Sequence, residues 1–412
     1  MSRESLRLYL ALFALTATQT AVYIARPVTS YRLLAIGDGA TAIGFVTAAF
    51  ALIPLFVAIP LGRFADRGRS NALLIGGAAL QTVACGFLGI AETTATIAGA
   101  TALLGLGHLA LALGVQHVVA RESDEADHDR RFAALTVGVS IGQLVGPLVA
   151  GAFLQDHAGS SLLSASRDAM WVGAAVAGLA TAASLIAARI GAPAVDATAV
   201  AMGSATSLRR IVGTRGVSAG IFASIAVLAS ADVFTAYMPV LGEERGIDPG
   251  VIGILLAIRA GASIAARLGI VFVVERIGRV RLISVSALLA AVAIAAVTLT
   301  ASPVALAILC VLIGYGLGFG QPLTMTLVVQ RVPPGWSATA LAVRLSGNRV
   351  GQVAGPALAG VVAGGVGVGA VFWLLSATLV ASAVAIERPA APDDHEPEPE
   401  PAVAIAAEVE LE

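Results

Sequence analysis

Lysine is absent from all 412 residues, so every basic side chain except histidine is arginine. Charge of any kind is sparse, at 12%, where soluble domains hold about 25%. Formal net charge is −1, so no overall basic field recruits nucleic acid. Cysteine occurs twice, as Cys85 and Cys310, each inside an apolar run. That excludes a disulfide framework and a cysteine-based metal site, and both read as small core residues. Aromatic residues make up 5%, which argues against a large stacking pocket. The chain shows no metal-ligand spacing, no aspartate-rich diphosphate motif and no nucleophile–base set, so neither an enzyme nor a cofactor is expected. The acidic run Glu122–Asp129 reads as a solvated turn.

What fills the chain instead is hydrophobic sequence, 58% of all residues, with mean hydropathy +0.89. Apolar stretches of about 20 residues, enough to cross a bilayer, cover 6–28, 40–62, 71–91, 95–120, 131–155 and 168–189. After a polar break they resume at 215–241, 249–274, 280–301, 303–331, 338–365 and 366–387. The first run resembles a signal peptide, with Arg3 and Arg7 ahead of it, but it leads straight into further spans and reads as a retained one. The expected organisation is an N-terminal bundle (1–190), a cytoplasmic linker (191–214), a C-terminal bundle (215–388) and a disordered acidic tail (389–412).

Arginines orient the spans. One set of connections holds Arg63, Arg67, Arg69, Arg121, Arg130, Arg131, Arg209, Arg210, Arg215, Arg276, Arg279, Arg281, Arg331 and Arg388. The opposite set has only Arg26, Arg32, Arg167 and Arg245. The positive-inside rule then places both termini in the cytoplasm. A plasma-membrane, multi-pass and monomeric protein is expected.

One phrase occurs twice: "GQLVGPLVAG" at 142–151 and "GQVAGPALAG" at 351–360, an offset of 351 − 142 = 209 residues. The same offset aligns Gly138 with Gly347, Gly142 with Gly351, Gly146 with Gly355, Pro147 with Pro356 and Gly151 with Gly360. It also aligns Ile43-Gly44 with Ile252-Gly253 and Asp66-Arg67 with Glu275-Arg276. The halves are therefore parallel copies, as in one transporter architecture. Glycines one helical turn apart let membrane helices approach closely. Pro147 and Pro356 each remove an N–H and crowd the carbonyl four residues back, which belongs to Gln143 or Gln352. The phrase reads as close packing with a kink, or as an interface that stays tight while two bundles rock.

"GRFADRGRS" (62–70) resembles the loop signature of the major facilitator superfamily, one residue short, and "ERIGRVR" (275–281) resembles a degenerate second copy. The glycine–proline helix 5 resembles the superfamily's antiporter-associated signature. The resemblance spans roughly residues 5–388. It implies twelve transmembrane helices in two pseudo-symmetric six-helix bundles around a midplane site. It implies a gating loop of Gly62, Asp66, Arg67, Gly68 and Arg69, with Asp66 contacting the start of helix 11. Where the family's helix 4 often carries an arginine, four residues before a glycine, this chain has Thr101.

In this fold helices 1, 4, 7 and 10 line the cavity. Thr16, Gln19, Thr20 and Tyr23 share one face of span 1, with Arg26 a turn beyond. Asp232 in span 7 and Arg259 in span 8 lie near mid-bilayer, where charge marks function, and they are candidates to pair with each other. Asp232 is the candidate for proton coupling, with Arg259 or Arg26 competing for it. Asn348, Arg349, His108 and Gln321 complete the candidate cavity, and Arg344 reads as snorkelling to the cytoplasmic surface. The leading expectation is proton-coupled export of a small lipophilic or amphiphilic compound. The runner-up, motivated by Arg26, Arg259 and Arg349, is proton-coupled uptake of a small organic anion.

Overall fold

Inside hydrocarbon no water satisfies the backbone, so each apolar run must close its hydrogen bonds internally as a helix. A computed structural model describes residues 3–121, 128–190, 213–214, 216–333 and 336–387. Among them lie twelve long helices: α1 (Arg3–Ala35), α2 (Ala40–Phe64), α3 (Ser70–Ile90), α4 (Thr94–Arg121), α5 (His128–Leu154), α6 (Ser160–Arg189), α7 (Val217–Glu244), α8 (Pro249–Leu268), α9 (Arg279–Val297), α10 (Pro303–Arg331), α11 (Ser337–Val366) and α12 (Val368–Glu387). A short helix, Ile270–Ile277, follows α8, and no strand occurs among the described residues. Eleven of the helices are long and apolar enough to cross a membrane. The twelfth, α11, carries Arg344, Asn348, Arg349 and Gln352 between its first turns and its middle. The tail 389–412 and most of the expected linker lie outside the described residues.

Two helices outlast their apolar runs by about two turns. α1 continues past Val28 to Ala35 through buried Thr29, Ser30, Tyr31 and Arg32. α6 begins at Ser160 rather than 168. The reason is shared: Arg32 donates from Nε to Ala91 O (2.8 Å) and from Nη1 to Ser166 Oγ (3.0 Å). It thereby satisfies a carbonyl at the end of α3, where the helix dipole is negative. Arg245 does the same for α9, donating to Val297 O (2.8 Å) and Thr298 O (2.7 Å). Arg32 and Arg245 are thus committed to helix ends.

The contacts fall into two groups related by six places in helix order. α1 packs on α5 and α6, α3 on α4 and α6, and α2 on α4. Correspondingly α7 packs on α11 and α12, α9 on α10 and α12, and α8 on α10. Between the halves α2 packs on α11 and α5 on α8, and each of these pairs is the image of the other. Dispersion and close approach drive such packing, because lipid removes the hydrophobic incentive. Gly105 of α4 lies directly under Phe50 O, and Gly314 of α10 lies under Arg259 O. Both pairs obey the 209-residue offset.

The tight turn Ala65–Arg69 joins α2 to α3 and packs on α2, α3 and α4. Gly68 takes φ 78°, the left-handed region that favours glycine. Gly278, its counterpart ahead of α9, also has φ 78°, but ψ is 155° instead of 11°.

Candidate transport site

The repeated phrase positions the site. On α5, a Cβ added at Gly138, Gly142 or Gly146 would lie 2.5 Å from Thr16 Oγ1, Gln19 Cβ or Tyr23 Cβ of α1. On α11 the corresponding approaches are to α7: a Cβ at Gly351 would lie closest, against Ile225, while Gly347 and Gly355 lie less tightly against Ile225 and Ala229, at 3.2 and 2.9 Å. The far ends of both phrases cross to the other half. A Cβ at Gly253 of α8 would meet Pro147 O at 2.5 Å, and one at Gly44 of α2 would meet Pro356 O at 2.5 Å. Gly151 packs on Gly253, and Gly360 packs on Gly44. Each copy therefore holds one helix of its own half and grips one of the other.

Between these seams α1, α7, α8 and α11 bring charges together. Arg26 forms an ion pair with Asp232 across the two halves. The other Asp232 oxygen accepts from Gln352 Nε2 at 2.8 Å, and Gln352 Oε1 accepts from Arg349 Nη1 at 2.9 Å. The Arg26 guanidinium also lies 5.1 Å from the Tyr23 ring centre and 5.0 Å from that of Phe50, in cation–π range. Arg259 sits on the second-half position that corresponds to Phe50, since 259 − 50 = 209. It is buried; among the described residues its only hydrogen bond runs from Nη2 to Thr235 Oγ1 at 3.4 Å, and its Nε has no partner. Thr235 in turn corresponds to Arg26. The two halves thus carry the same pair of positions with the cation moved from α1 to α8, while a carboxylate serves only one of them.

A cavity of about 30 Å³, room for one or two waters, adjoins the pair. Arg26, Thr29, Thr47, Phe50, Thr101, Asp232 and Gln352 line it, so it draws on both halves. Beyond it the halves close on each other at the end away from the termini. Ser30 Oγ donates to Ala236 O (2.9 Å), Tyr237 Oη to Ala40 O (2.8 Å), and the Asp156 amide to Asp248 Oδ2 (2.9 Å).

The other expected residues are distributed differently. Asp232 pairs with Arg26, not with Arg259, because Arg26 reaches it directly across the interface. Thr16, Gln19 and Thr20 face α5, and both threonine hydroxyls bond to carbonyls of their own helix. Gln321 and Asn348 belong to a second network inside one half: Ser224 Oγ donates to Asn348 Oδ1 (2.9 Å) and Gln321 Nε2 to Ser224 O (2.8 Å). Arg344 does not snorkel to the surface. It is buried and donates to Gln321 Oε1 at 2.7 Å, tying α10 to α11. His108 packs beside Phe50, with ring centres 5.7 Å apart. In the turn, Arg69 lies over the Phe64 ring, and Arg67 and Gly68 are exposed. The Asp66 side chain lies outside the described residues. Thr29, Thr47 and Phe50 carry no charge to set them apart from the other residues of their apolar runs, although the 209-residue offset relates Phe50 to Arg259.

Comparison with known proteins agrees with this architecture. Residues 8–215 and 220–409 match the family described as Major Facilitator Superfamily. No curated protein sequence matches. Among solved structures, a variant of the nucleoside transporter NupG is similar with TM-score 0.76 at 15% identity, covering 92% of this chain and 98% of that one. A POT family transporter in complex with a thioalcohol-conjugated peptide gives 0.73 at 14%, covering 92% and 95%. A bacterial homologue of the human lysosomal transporter Spinster, inward-facing and unoccupied, gives 0.72 at 15%, covering 94% and 95%. At such identities the likeness establishes the fold alone. With duplicated six-helix halves, a charged site between them and a match along nearly all its length, the chain belongs to the Major Facilitator Superfamily, whose members are secondary transporters working by alternating access.

Proposed function

We propose that this transporter carries a small organic anion together with a proton, with Asp232 as the proton-exchange group. The observation that supports this reading is the charge of the central cluster. Asp232 is the one carboxylate there, among the described residues, against Arg26, Arg259 and Arg349. Buried cations without counter-charge are costly, and an anionic substrate supplies that charge. Protonating Asp232 frees Arg26 and strengthens the attraction for an anion. By linkage, a bound anion raises the affinity of Asp232 for its proton by the same factor. Proton and anion then move in the same direction.

Export of a lipophilic or amphiphilic compound in exchange for protons is the second reading, favoured by the antiporter-like phrase on α5. The copy of that phrase on α11 makes equivalent packing contacts, so packing alone accounts for both. In both readings the termini and the arginine-rich connections face the cytoplasm of the cell that bears the protein in its plasma membrane, and the working unit is a monomer. Proteoliposomes under an imposed pH gradient separate the two: acid outside drives anion entry under symport, whereas substrate moving against the proton flux establishes exchange.

A further inference from the structure

The seam between α5 and α8 opens toward the membrane, unlike its tight end at Gly151 and Gly253. An apolar groove of about 460 Å³ runs between Leu144 and Leu148 of α5, Ile254 and Gly261 of α8, and Val311 and Tyr315 of α10. It continues toward the termini as a second groove of about 310 Å³, lined by Val137, Ser140, Ile141, Ile264, Arg267 and Leu268. From Ile254 to Arg267 is 267 − 254 = 13 residues, about 20 Å of helix and enough for one acyl chain in half of a bilayer core about 30 Å thick.

The groove is apolar over most of its length and cationic at one end. Arg267 is half-buried there, and among the described residues its one hydrogen bond reaches Ser140 Oγ of α5 at 3.3 Å. Among the described residues no carboxylate lies within ion-pair distance of it. The equivalent place in the other seam holds Ala58, since 267 − 58 = 209, so this cation has no symmetry counterpart. An amphiphile with an acyl chain and a negative headgroup matches this shape and charge.

We infer that the α5–α8 seam is a binding site for an anionic phospholipid, with its headgroup on Arg267 and Ser140 and an acyl chain lying toward Ile254. The occupant comes from the leaflet on the side of the termini. A bilayer's cytoplasmic leaflet holds the anionic lipids, in keeping with the arginine-rich connections at that end.

Bimane attached at Leu268→Cys, with the buried Cys85 and Cys310 replaced by alanine, reports the occupant. The protein is reconstituted in phosphatidylcholine vesicles containing brominated phosphatidylglycerol, or brominated phosphatidylcholine in equal amount. Preferential quenching by the phosphatidylglycerol is expected, with a preference of about fivefold for one arginine. Arg267→Gln should abolish the preference and Arg267→Lys should keep most of it. Equal quenching by the two lipids in the otherwise unaltered protein overturns the assignment, as does a preference that survives Arg267→Gln. Quenching relieved by a soluble anion such as benzoate, with no lipid preference, would overturn it in favour of a lateral path for the substrate.

Discussion

At the scale of single residues the account turns on Asp232 and the arginines around it. Removing one partner of a buried ion pair leaves the other charge uncompensated, which is commonly worth about 3–5 kcal/mol. Asp232→Asn should therefore abolish the response of transport to a pH gradient and slow net flux by at least about tenfold, a barrier change of about 1.4 kcal/mol. Exchange of substrate between equal pools should suffer far less. Proteoliposome flux at several pH values tests this, and an unaltered pH response would remove Asp232 from the coupling step. Arg259→Gln is expected to weaken binding of carboxylates such as benzoate by about tenfold or more, while binding of the neutral amide changes little. A thermal-shift titration with the matched pair distinguishes the two, and equal losses for both would make Arg259 a packing residue. The sequence offered Arg259 and Arg26 alike as partners for Asp232 and did not choose between them. Asp232 and Arg259 were recognisable as mid-membrane charges, but Arg26 lies 232 − 26 = 206 positions from its partner, and its reach across the interface depends on how the halves meet.

Helices and their seams were far more legible. Spans, duplication and the close-packed glycine faces all follow from apolar runs and a constant offset, because a membrane leaves the backbone almost no other solution. What misled was polarity. Thr16, Gln19 and Thr20 make a polar stripe of the kind that faces a cavity, yet the glycines of α5 cover it. Arg344 lies near a helix end, where snorkelling is the ordinary outcome, yet Gln321 captures it. Side chains decide such matters by contacts with distant helices, which helical periodicity does not encode. The glycine seams carry their own prediction. A side chain at Gly105 meets the Phe50 carbonyl and one at Gly314 meets that of Arg259. Gly105→Val and Gly314→Val should each lower stability by an amount in the usual overpacking range of about 1–3 kcal/mol, seen as lower thermal midpoints in detergent. Midpoints unaffected at both positions would contradict the close approach of α2 to α4 and of α8 to α10.

For the whole molecule, the central claim is that two parallel copies meet around a pseudo-twofold axis and must separate at the end now closed. Thr41 of α2 faces Gly364 of α11, where an added Cβ would lie 3.5 Å from the Thr41 Cβ. The offset carries this pair onto Gly250 of α8 and Gln155, just past the end of α5, whose corresponding separation is 2.9 Å. Both separations are at or below the roughly 3.5–4.5 Å spanned by a disulfide, so small adjustments suffice to bridge either pair. Cysteines are introduced at 41 and 364, or at 155 and 250, in a background lacking Cys85 and Cys310, and flux is followed before oxidation, after it and after reduction. The account predicts that either cross-link forms readily, arrests transport and releases it again on reduction. A pair that cross-links fully while substrate still crosses the membrane at the original rate would contradict it.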